Sequence, residues 1–250
     1  MNSFLVGMIA FAAMFGGALA GMFLRHRLPD HHLQDDSRDV VKLAGGLVGT
    51  LAALVLGLLV ASGKGFYDAQ SSELTQMSAD IVVLDRTLAH YGPETAEIRA
   101  GLRQTVMAVL EKSEANHHSV TASLSSLTGA DALYDKIQSL DPKTDVQRNL
   151  QSQCLAMVVT LGRTRWLMYE QASASVSEPL LAVMIFWLMV TFCMWGVLAA
   201  PNRTLIITMG VSAMSSAGAI FLILEMYSPY QGLIQVSDAP WRAALAHLGL

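Results

Sequence analysis

The sequence predicts an all-α membrane protein, with four transmembrane helices and a helical extramembrane domain inserted between spans two and three. Three observations support this fold class. Hydrophobic residues make up 53% of the 250 positions and charged residues only 14%, whereas soluble domains carry about 25% charged residues. Four windows contain no charged side chain, and each reaches the roughly 20 residues that a helix needs to cross a bilayer. The polar block between the second and third windows shows helical spacing of apolar residues.

The first two spans are predicted at residues 3–24 and 43–62. A cleavable signal peptide is the alternative interpretation of the first window. Its N-terminus lacks the positively charged region of such a peptide, and its apolar run is longer than usual. We therefore interpret it as a true span.

The polar block at residues 63–177 is predicted to be almost wholly helical. Helices are expected at 66–88, from Pro93 to 116, at 130–140 and at 145–173, and the serine-rich stretch 119–128 is predicted to be a loop. Gly63 and Gly65 interrupt the apolar pattern, but a glycine in a helix costs only about 1 kcal/mol relative to alanine. We expect the second span to continue out of the bilayer as one long rod, with a bend allowed at these glycines.

The last two spans are predicted at residues 179–200 and 204–224. The domain organisation is then spans one and two at 1–62, the helical domain at 63–177, spans three and four at 178–226, and a C-terminal tail at 227–250.

The second span has two different sides. Small residues recur every four positions, at Gly45, Gly49, Ala53 and Gly57, and such a stripe lets helix backbones approach closely in lipid. Bulkier residues lie on the opposite side of a helical wheel, at Leu51, Val55, Leu58 and Ser62. Two interpretations of the bulky side stay open: it faces lipid, or it surrounds a central axis and forms a hydrophobic constriction that gates by dewetting.

No catalytic, cofactor or metal site is predicted. The sequence contains no phosphate-binding glycine loop and no hydrolase motif, and Cys154 and Cys193 form neither a disulfide framework nor a zinc spacing. Two adjacent pairs of histidines occur, at 31–32 and 117–118. Neighbouring side chains in a helix point about 100° apart, so the two histidines of a pair are poorly placed to bind one metal ion. The net charge of −4 gives no attraction to nucleic acid. We therefore expect a protein that is not an enzyme and whose main partner is the lipid bilayer.

Three stretches carry a resemblance to a known family. They are residues 56–68 (LGLLVASGKGFYD), 88–94 (LAHYGPE) and 225–234 (EMYSPYQGLI). Together they resemble the bacterial bestrophin-like domain family of four-span membrane proteins, and the similarity covers nearly the whole chain.

A more distant similarity to the bestrophin anion channels implies a pentameric homo-oligomer that conducts inorganic anions. In bestrophins the second span forms a hydrophobic neck and continues into a cytosolic helical vestibule. The family also has an acid and a Pro-aromatic-Gly turn after the last span, which Glu225, Pro229, Tyr230 and Gly232 approximate.

Two departures from the bestrophin pattern concern its calcium site and its neck. The acidic run that completes the calcium site is absent here, because only Asp238 follows the last span, so no calcium gating is implied. The positions of the aromatic neck residues are occupied by Leu51, Val55 and Leu58.

Two arguments on orientation disagree. Basic residues near span ends number five on the side of the first loop (Arg25, Arg27, Arg38, Lys42 and Arg203) and four on the side of the polar block (Lys64, Arg163, Arg165 and Arg242). Local charge therefore favours an extracytoplasmic polar block. The resemblance implies a cytoplasmic one in a bacterial inner membrane, and we follow the resemblance.

Two functions are consistent with the sequence. The first is a homo-oligomeric anion channel whose pore is lined by Leu51, Val55, Leu58 and Ser62. The second is a non-conducting, membrane-anchored interaction or sensory module that uses the helical domain. The oligomeric state would discriminate between them.

Overall fold

A computed structural model describes residues 2–27, 35–116, 129–172, 177–200, 202–228 and 233–249. Most of the described residues are helical, and none of them lies in a strand. The helices are α1 (Ser3–Arg27), α2 (Asp35–Tyr91), α3 (Ala96–Asn116), α4 (Gly129–Gln138), α5 (Asp145–Ala172), α6 (Glu178–Leu198), α7 (Arg203–Met226) and α8 (Ala239–His247). The all-α prediction is confirmed, and the predicted serine-rich loop at 119–128 lies outside the described residues.

Four of these helices, α1, α2, α6 and α7, are long and apolar enough to cross a membrane. They contain the predicted windows 3–24, 43–62 and 204–224, and all but the last two residues of the window 179–200, because α6 ends at Leu198. The chain divides into two compact units, the first comprising Met1–Phe66 with Ser175–Tyr227 and the second Tyr67–Ala174 with Ser228–Leu250. The sequence predicts the corresponding boundaries at 62 and 177 and treats 227–250 as a separate tail.

In the first unit, α1 and α6 cross with their backbones in close contact. A Cβ atom on Gly21 would run into the carbonyl oxygen of Cys193, and one on Gly196 would run into that of Ala18. The interior beside this crossing is built from compact or flexible side chains, and Ala10, Met14 and other residues there are fully buried. Small residues at the contact allow the dispersion-driven packing that replaces the hydrophobic effect in lipid.

The C-terminal end of α6 is held by a cation from α1. The Nη1 group of Arg25 donates to the carbonyl oxygens of Val197 at 3.3 Å and Leu198 at 2.9 Å. The last carbonyls of a helix have no partner within it and carry its negative dipole end. Arg25 therefore has a structural partner in addition to its contribution to the charge balance of the first loop.

Helix α2 is 57 residues long and passes through Gly63 and Gly65 without a break. It ends where Gly92 adopts φ 139°, a backbone conformation that only glycine takes without strain. Beyond that turn the hydroxyl oxygen of buried Thr95 lies 2.6 Å from the carbonyl oxygen of Leu88 and 2.8 Å from that of Gly92, so its one hydrogen is shared between the two acceptors. These bonds satisfy a carbonyl that the end of the helix leaves without a partner.

The second unit has a core of large apolar side chains. Five apolar residues that recur at helical spacing on α2, within the predicted helix 66–88, are all buried, namely Leu74, Met77, Ile81, Leu84 and Leu88. They pack with residues of α3, α4, α5 and α8 in one cluster. The C-terminal tail is part of this core, because Trp241 and Leu248 are each only 2% exposed.

A buried ion pair joins three parts of the second unit. Asp85 of α2 accepts hydrogen bonds from Arg99 of α3, at 2.8 Å from Nε and 2.9 Å from Nη2. Its Oδ2 atom also accepts a weak bond from the backbone N–H of Gly249 at 3.4 Å. Burial acts to raise the pKa of Asp85, but these hydrogen bonds and the charges of Arg99 and Arg86 together hold the pKa below its usual value.

Candidate functional site

The face of α2 that packs inside the first unit has a regular spacing. A Cβ atom added to Gly45 would lie 3.4 Å from the Sδ atom of Met194, and one added to Gly49 would lie 3.5 Å from Cγ2 of Thr191. Further along the same face, the residues that lie in or against the core are Ala52, Leu56, Leu59 and Gly63. These positions alternate in steps of four and three residues, which keeps them on one side of the helix.

The predicted small-residue stripe follows this face only over its first half. Steps of four residues rotate a position by about 40° each time, so Ala53 and Gly57 turn away from the packed side. Both are exposed within the chain, and a Cβ on Gly57 would meet nothing within 4 Å. Gly45 and Gly49 contact α6, while packing by Ala53 and Gly57 against another helix stays a prediction.

The opposite side of α2 is an exposed leucine face. Leu47 is 64% exposed, Leu51 43%, Leu54 61% and Leu58 70%. They lie about 180° around the helix from the packed face, at about 100° per residue. No ionised side chain interrupts the window 43–62 in which they lie.

The four predicted pore-lining residues lie in different surroundings. Leu51 and Leu58 belong to the leucine face, whereas Val55 is half-buried against the core of the first unit. Ser62 is exposed, and its hydroxyl shares a hydrogen bond with the hydroxyl of Tyr227 at 2.7 Å. Their lining of a pore stays a prediction.

Ser62 belongs to a contact between α2 and the end of α7. We call this contact the Tyr227 junction, and its members are Ser62, Gly63, Phe66 and Tyr227. The rings of Phe66 and Tyr227 stack with centroids 5.4 Å apart and planes 18° from parallel. A Cβ on Gly63 would lie 3.3 Å from Cε2 of Tyr227, so the glycine provides the space in which the ring lies.

The Tyr227 junction was not predicted as a site. Ser62 and Tyr227 lie 165 positions apart in the chain, so no periodicity connects them. One sequence signal could have indicated the junction: its two segments belong to the stretches that carry the family resemblance, 56–68 and 225–234.

Of the predicted turn after the last span, the structure describes one residue. Glu225 is 5% exposed in the last turn of α7. Pro229, Tyr230 and Gly232 lie outside the described residues. Within the described ranges, no three His, Cys, Asp or Glu side chains are grouped so that they could hold a metal ion.

Comparison with known proteins gives one match. The family model of the bestrophin-like domain matches residues 12–241. No curated protein and no solved structure matches the chain. The matched range includes α2, α6, α7, the Tyr227 junction and the part of α1 from residue 12 onwards, and we conclude that this membrane protein belongs to the bestrophin-like domain family.

Proposed function

We propose that the protein is a homo-oligomeric ion channel that conducts anions, with α2 of each copy lining a central pore. The observation that carries the proposal is the leucine face, which lies opposite the packed face of α2 and has no partner within the described chain. At about 1.5 Å per residue, 57 residues extend far beyond the roughly 30 Å of a hydrocarbon core. A helix of this length would carry a pore lining from the bilayer into an aqueous vestibule.

The leucine face would form the constriction of such a pore. Rings of leucine side chains make a passage that conducts only when water enters it. Leu51 and Leu58 are the members that the sequence also assigns to the pore. The charged residues closest to the two ends of the apolar window are Lys42, which is ion-paired with Asp39 at 2.7 Å, and Lys64. Cationic residues at the ends of a pore favour anions over cations.

The remaining features of the proposal concern assembly and placement. The second unit would lie outside the bilayer on the cytoplasmic side of a bacterial inner membrane, and Ala53 and Gly57 would be free to contact a neighbouring copy. The family resemblance favours five copies. Protease digestion of inverted vesicles tests the orientation, and native mass spectrometry of the detergent-solubilised protein counts the subunits.

Conduction is tested by recording currents from the purified protein in planar bilayers. Leu51→Ala should widen the constriction and raise the anion current, whereas Val211→Ala, at an equally apolar exposed position of α7, should leave it unchanged. A silent bilayer, or a monomer in detergent, contradicts the channel and leaves the non-conducting interaction module as the function.

Cysteine accessibility tests which face lines the pore. In a Cys193→Ala background, Leu58→Cys should react with a charged thiol reagent and the current should fall. Ile207→Cys, at 66% exposure on α7 compared with 70% for Leu58, should not react because lipid surrounds it. Equal protection of both positions would place the leucine face in lipid.

A further inference from the structure

An exposed aromatic cluster lies near the C-terminal end of α5. Trp166 is 62% exposed and Tyr169 52%, and their rings meet edge to face with centroids 5.9 Å apart. The guanidinium group of Arg165 lies 5.7 Å from the centre of the Trp166 ring. Tryptophan, tyrosine and arginine are enriched in the residues that dominate binding at protein interfaces. This group, the Trp166 cluster, therefore has the composition of a binding surface.

Two hydrogen bonds fix the height of the Trp166 cluster along α2. Near the start of α5, the side-chain amide of Gln147 donates to the carbonyl oxygen of Tyr91 at 3.1 Å. Near the end of α5, the side chain of Gln171 accepts from that of Gln70. The two helices are thus antiparallel, and because both rise by about 1.5 Å per residue, Trp166 lies at the height of about residue 74 of α2.

A groove on the exposed side of α2 lies at the same height. Its volume is about 390 Å³, and its lining residues are Asp68, Ser71, Ser72, Thr75, Gln76 and Ala79. The middle of this stretch is close to residue 74, the height of Trp166. Most of the lining side chains are short, and a large side chain packs well among short ones on a facing helix.

The groove is not filled by Trp166 of the same copy. The buried residues of α2 at this height, such as Leu74 and Met77, face the core of the second unit, in which α5 also packs. The groove residues are exposed or half-buried on the other side of α2. The groove and the Trp166 cluster are therefore two different surfaces, each turned away from the shared core.

Lipid does not reach this height. The uncharged window of α2 ends at Ser62, and residue 74 lies about 18 Å further along the helix. The polar headgroup layer adds only roughly 5–8 Å to each side of the hydrocarbon core. The Trp166 cluster therefore lies in water, where large exposed apolar side chains mark contacts with protein.

A second copy of this chain presents a groove at the required height. Copies in one membrane share an orientation, so copies in a closed ring are related by rotation about the bilayer normal. That rotation leaves height unchanged, and Trp166 of one copy comes to the level of the groove on the next. A contact between two different surfaces is the head-to-tail kind that closes into a ring.

The charges beside the two surfaces favour the same pairing. Arg163, one turn before Trp166 on the exposed side of α5, lies at the height of about residue 77. Asp80 follows the groove on α2, where it accepts from Gln76 at 2.8 Å. Glu170 lies lower, at about residue 71, and the nearest charges below it on α2 are Asp68 and Lys64, one of each sign.

We propose that Trp166 of each copy packs into the α2 groove of the neighbouring copy, with Arg163 paired to Asp80 of that neighbour. The proposal rests on the homo-oligomer of the proposed function but not on conduction. It assigns the surface through which the second units of adjacent copies bind each other.

Cross-linking in native membranes tests the contact. Arg163→Cys and Asp80→Cys are combined in a Cys193→Ala chain, in which the remaining Cys154 is buried, and treated with a short bifunctional thiol reagent. Because every copy carries both cysteines, a ladder of dimers, trimers and larger species up to the full ring is expected on a denaturing gel. Each single variant should give no ladder.

Val146→Cys with Asp80→Cys is the matched control for height. Val146 is also on α5 and is 70% exposed, but it lies about 18 Å from Asp80 along the helix direction. This pair should give no ladder. A ladder of equal yield would overturn the assigned contact.

A charge exchange provides an independent measurement. Arg163→Asp and Asp80→Arg should each reduce the intact oligomer that native mass spectrometry detects on dilution, and the double variant should restore it. Trp166→Asp should abolish the oligomer contact and the ladder, whereas Val146→Asp should retain both. Failure of the double variant to restore the oligomer would contradict the pairing even if Trp166→Asp did not fold.

The outcomes separate this contact from the proposed channel. An oligomer that gives no ladder overturns the contact alone, and a monomer overturns it together with the homo-oligomer. A ladder from a protein that is silent in planar bilayers supports the contact and contradicts only conduction.

Discussion

The two units use apolar side chains in opposite ways. In the first unit large apolar residues such as Phe4 and Met214 are about two-thirds exposed, while alanine and glycine fill the contacts between helices. In the second unit large apolar residues such as Leu84 and Trp241 form a buried core, although others, such as Val159 and Trp166, are exposed. The difference follows from the solvent. Apolar side chains are stable in contact with lipid, so the helices are held together there mainly by close packing. In water the hydrophobic effect favours burial of apolar side chains.

The largest expected effect on stability is at the close contact between α1 and α6 in the first unit, where Gly21 and Gly196 lie. Gly196→Val would place its side chain against the carbonyl of Ala18, and rotation of the side chain cannot relieve contact with backbone. We expect a loss of about 5 kcal/mol or more, measured as the folded fraction in detergent under increasing denaturant. Gly16→Ala, where a Cβ meets nothing within 4 Å, should not lower stability, and a Gly196→Val protein as stable as the unchanged one would show that the helices do not cross closely.

Loss of the buried ion pair should destabilise the second unit. Asp85→Ala leaves Arg99 without the carboxylate it now contacts, and breaking a buried pair from one side costs about 3–5 kcal/mol. Chemical denaturation, followed by circular dichroism, measures the change. Glu97→Gln, which removes the exposed pair with Lys136, should cause no detectable change, because exposed pairs are screened by water.

The same pair predicts a dependence on pH. The pKa of Asp85 is lower in the folded protein than its ordinary value of 3.8, so the stabilisation is present above about pH 4 and is lost as the pH falls through the folded pKa. Denaturation midpoints between pH 6 and pH 2 should therefore fall less steeply for Asp85→Ala than for the unchanged protein. Parallel curves would contradict the assignment.

Two valines with the same exposure should respond differently to charge. Val211 of α7 is 62% exposed and Val159 of α5 is 59% exposed. Val211→Lys places an ammonium group in a span, which costs about 2.5–3.5 kcal/mol, whereas Val159→Lys at a water-facing position should change stability by less than about 0.5 kcal/mol. The fraction of protein recovered in the membrane measures the first effect, and equal recovery of both variants would contradict the division into lipid-facing and water-facing units.

The smallest expected effect concerns the thiol in the second unit. Burial raises the pKa of Cys154 from 9.0 to about 11, so near pH 8 its thiolate fraction is about a hundredfold lower than that of an ordinary thiol. In a Cys193→Ala background, maleimide should label Cys154 only after denaturation, as read by mass spectrometry. Labelling at the rate of an exposed thiol would show that the core around Cys154 is open.

Much of the fold could be predicted because its signals are local. The four spans depend on uncharged windows of bilayer length, and the helix ending at Tyr91 depends on the following Gly92 and Pro93. The buried positions of α2 in the second unit follow from helical spacing alone. The small-residue stripe predicted for α2 repeats every four residues, whereas the packed face in the first unit alternates steps of four and three residues. Contact of Ala53 and Gly57 with another helix stays a prediction.

The sequence by itself determined that this chain is a helical membrane protein with four spans, because hydrophobic length and helical period can be read from neighbouring residues. The tertiary structure decided which groups from distant segments meet: Ser62 with Tyr227, Asp85 with Arg99 and the C-terminal backbone, and Trp241 with the apolar core of the second unit. Such contacts depend on how helices are rotated and stacked, and the free energy that selects one rotation is distributed over the whole interface.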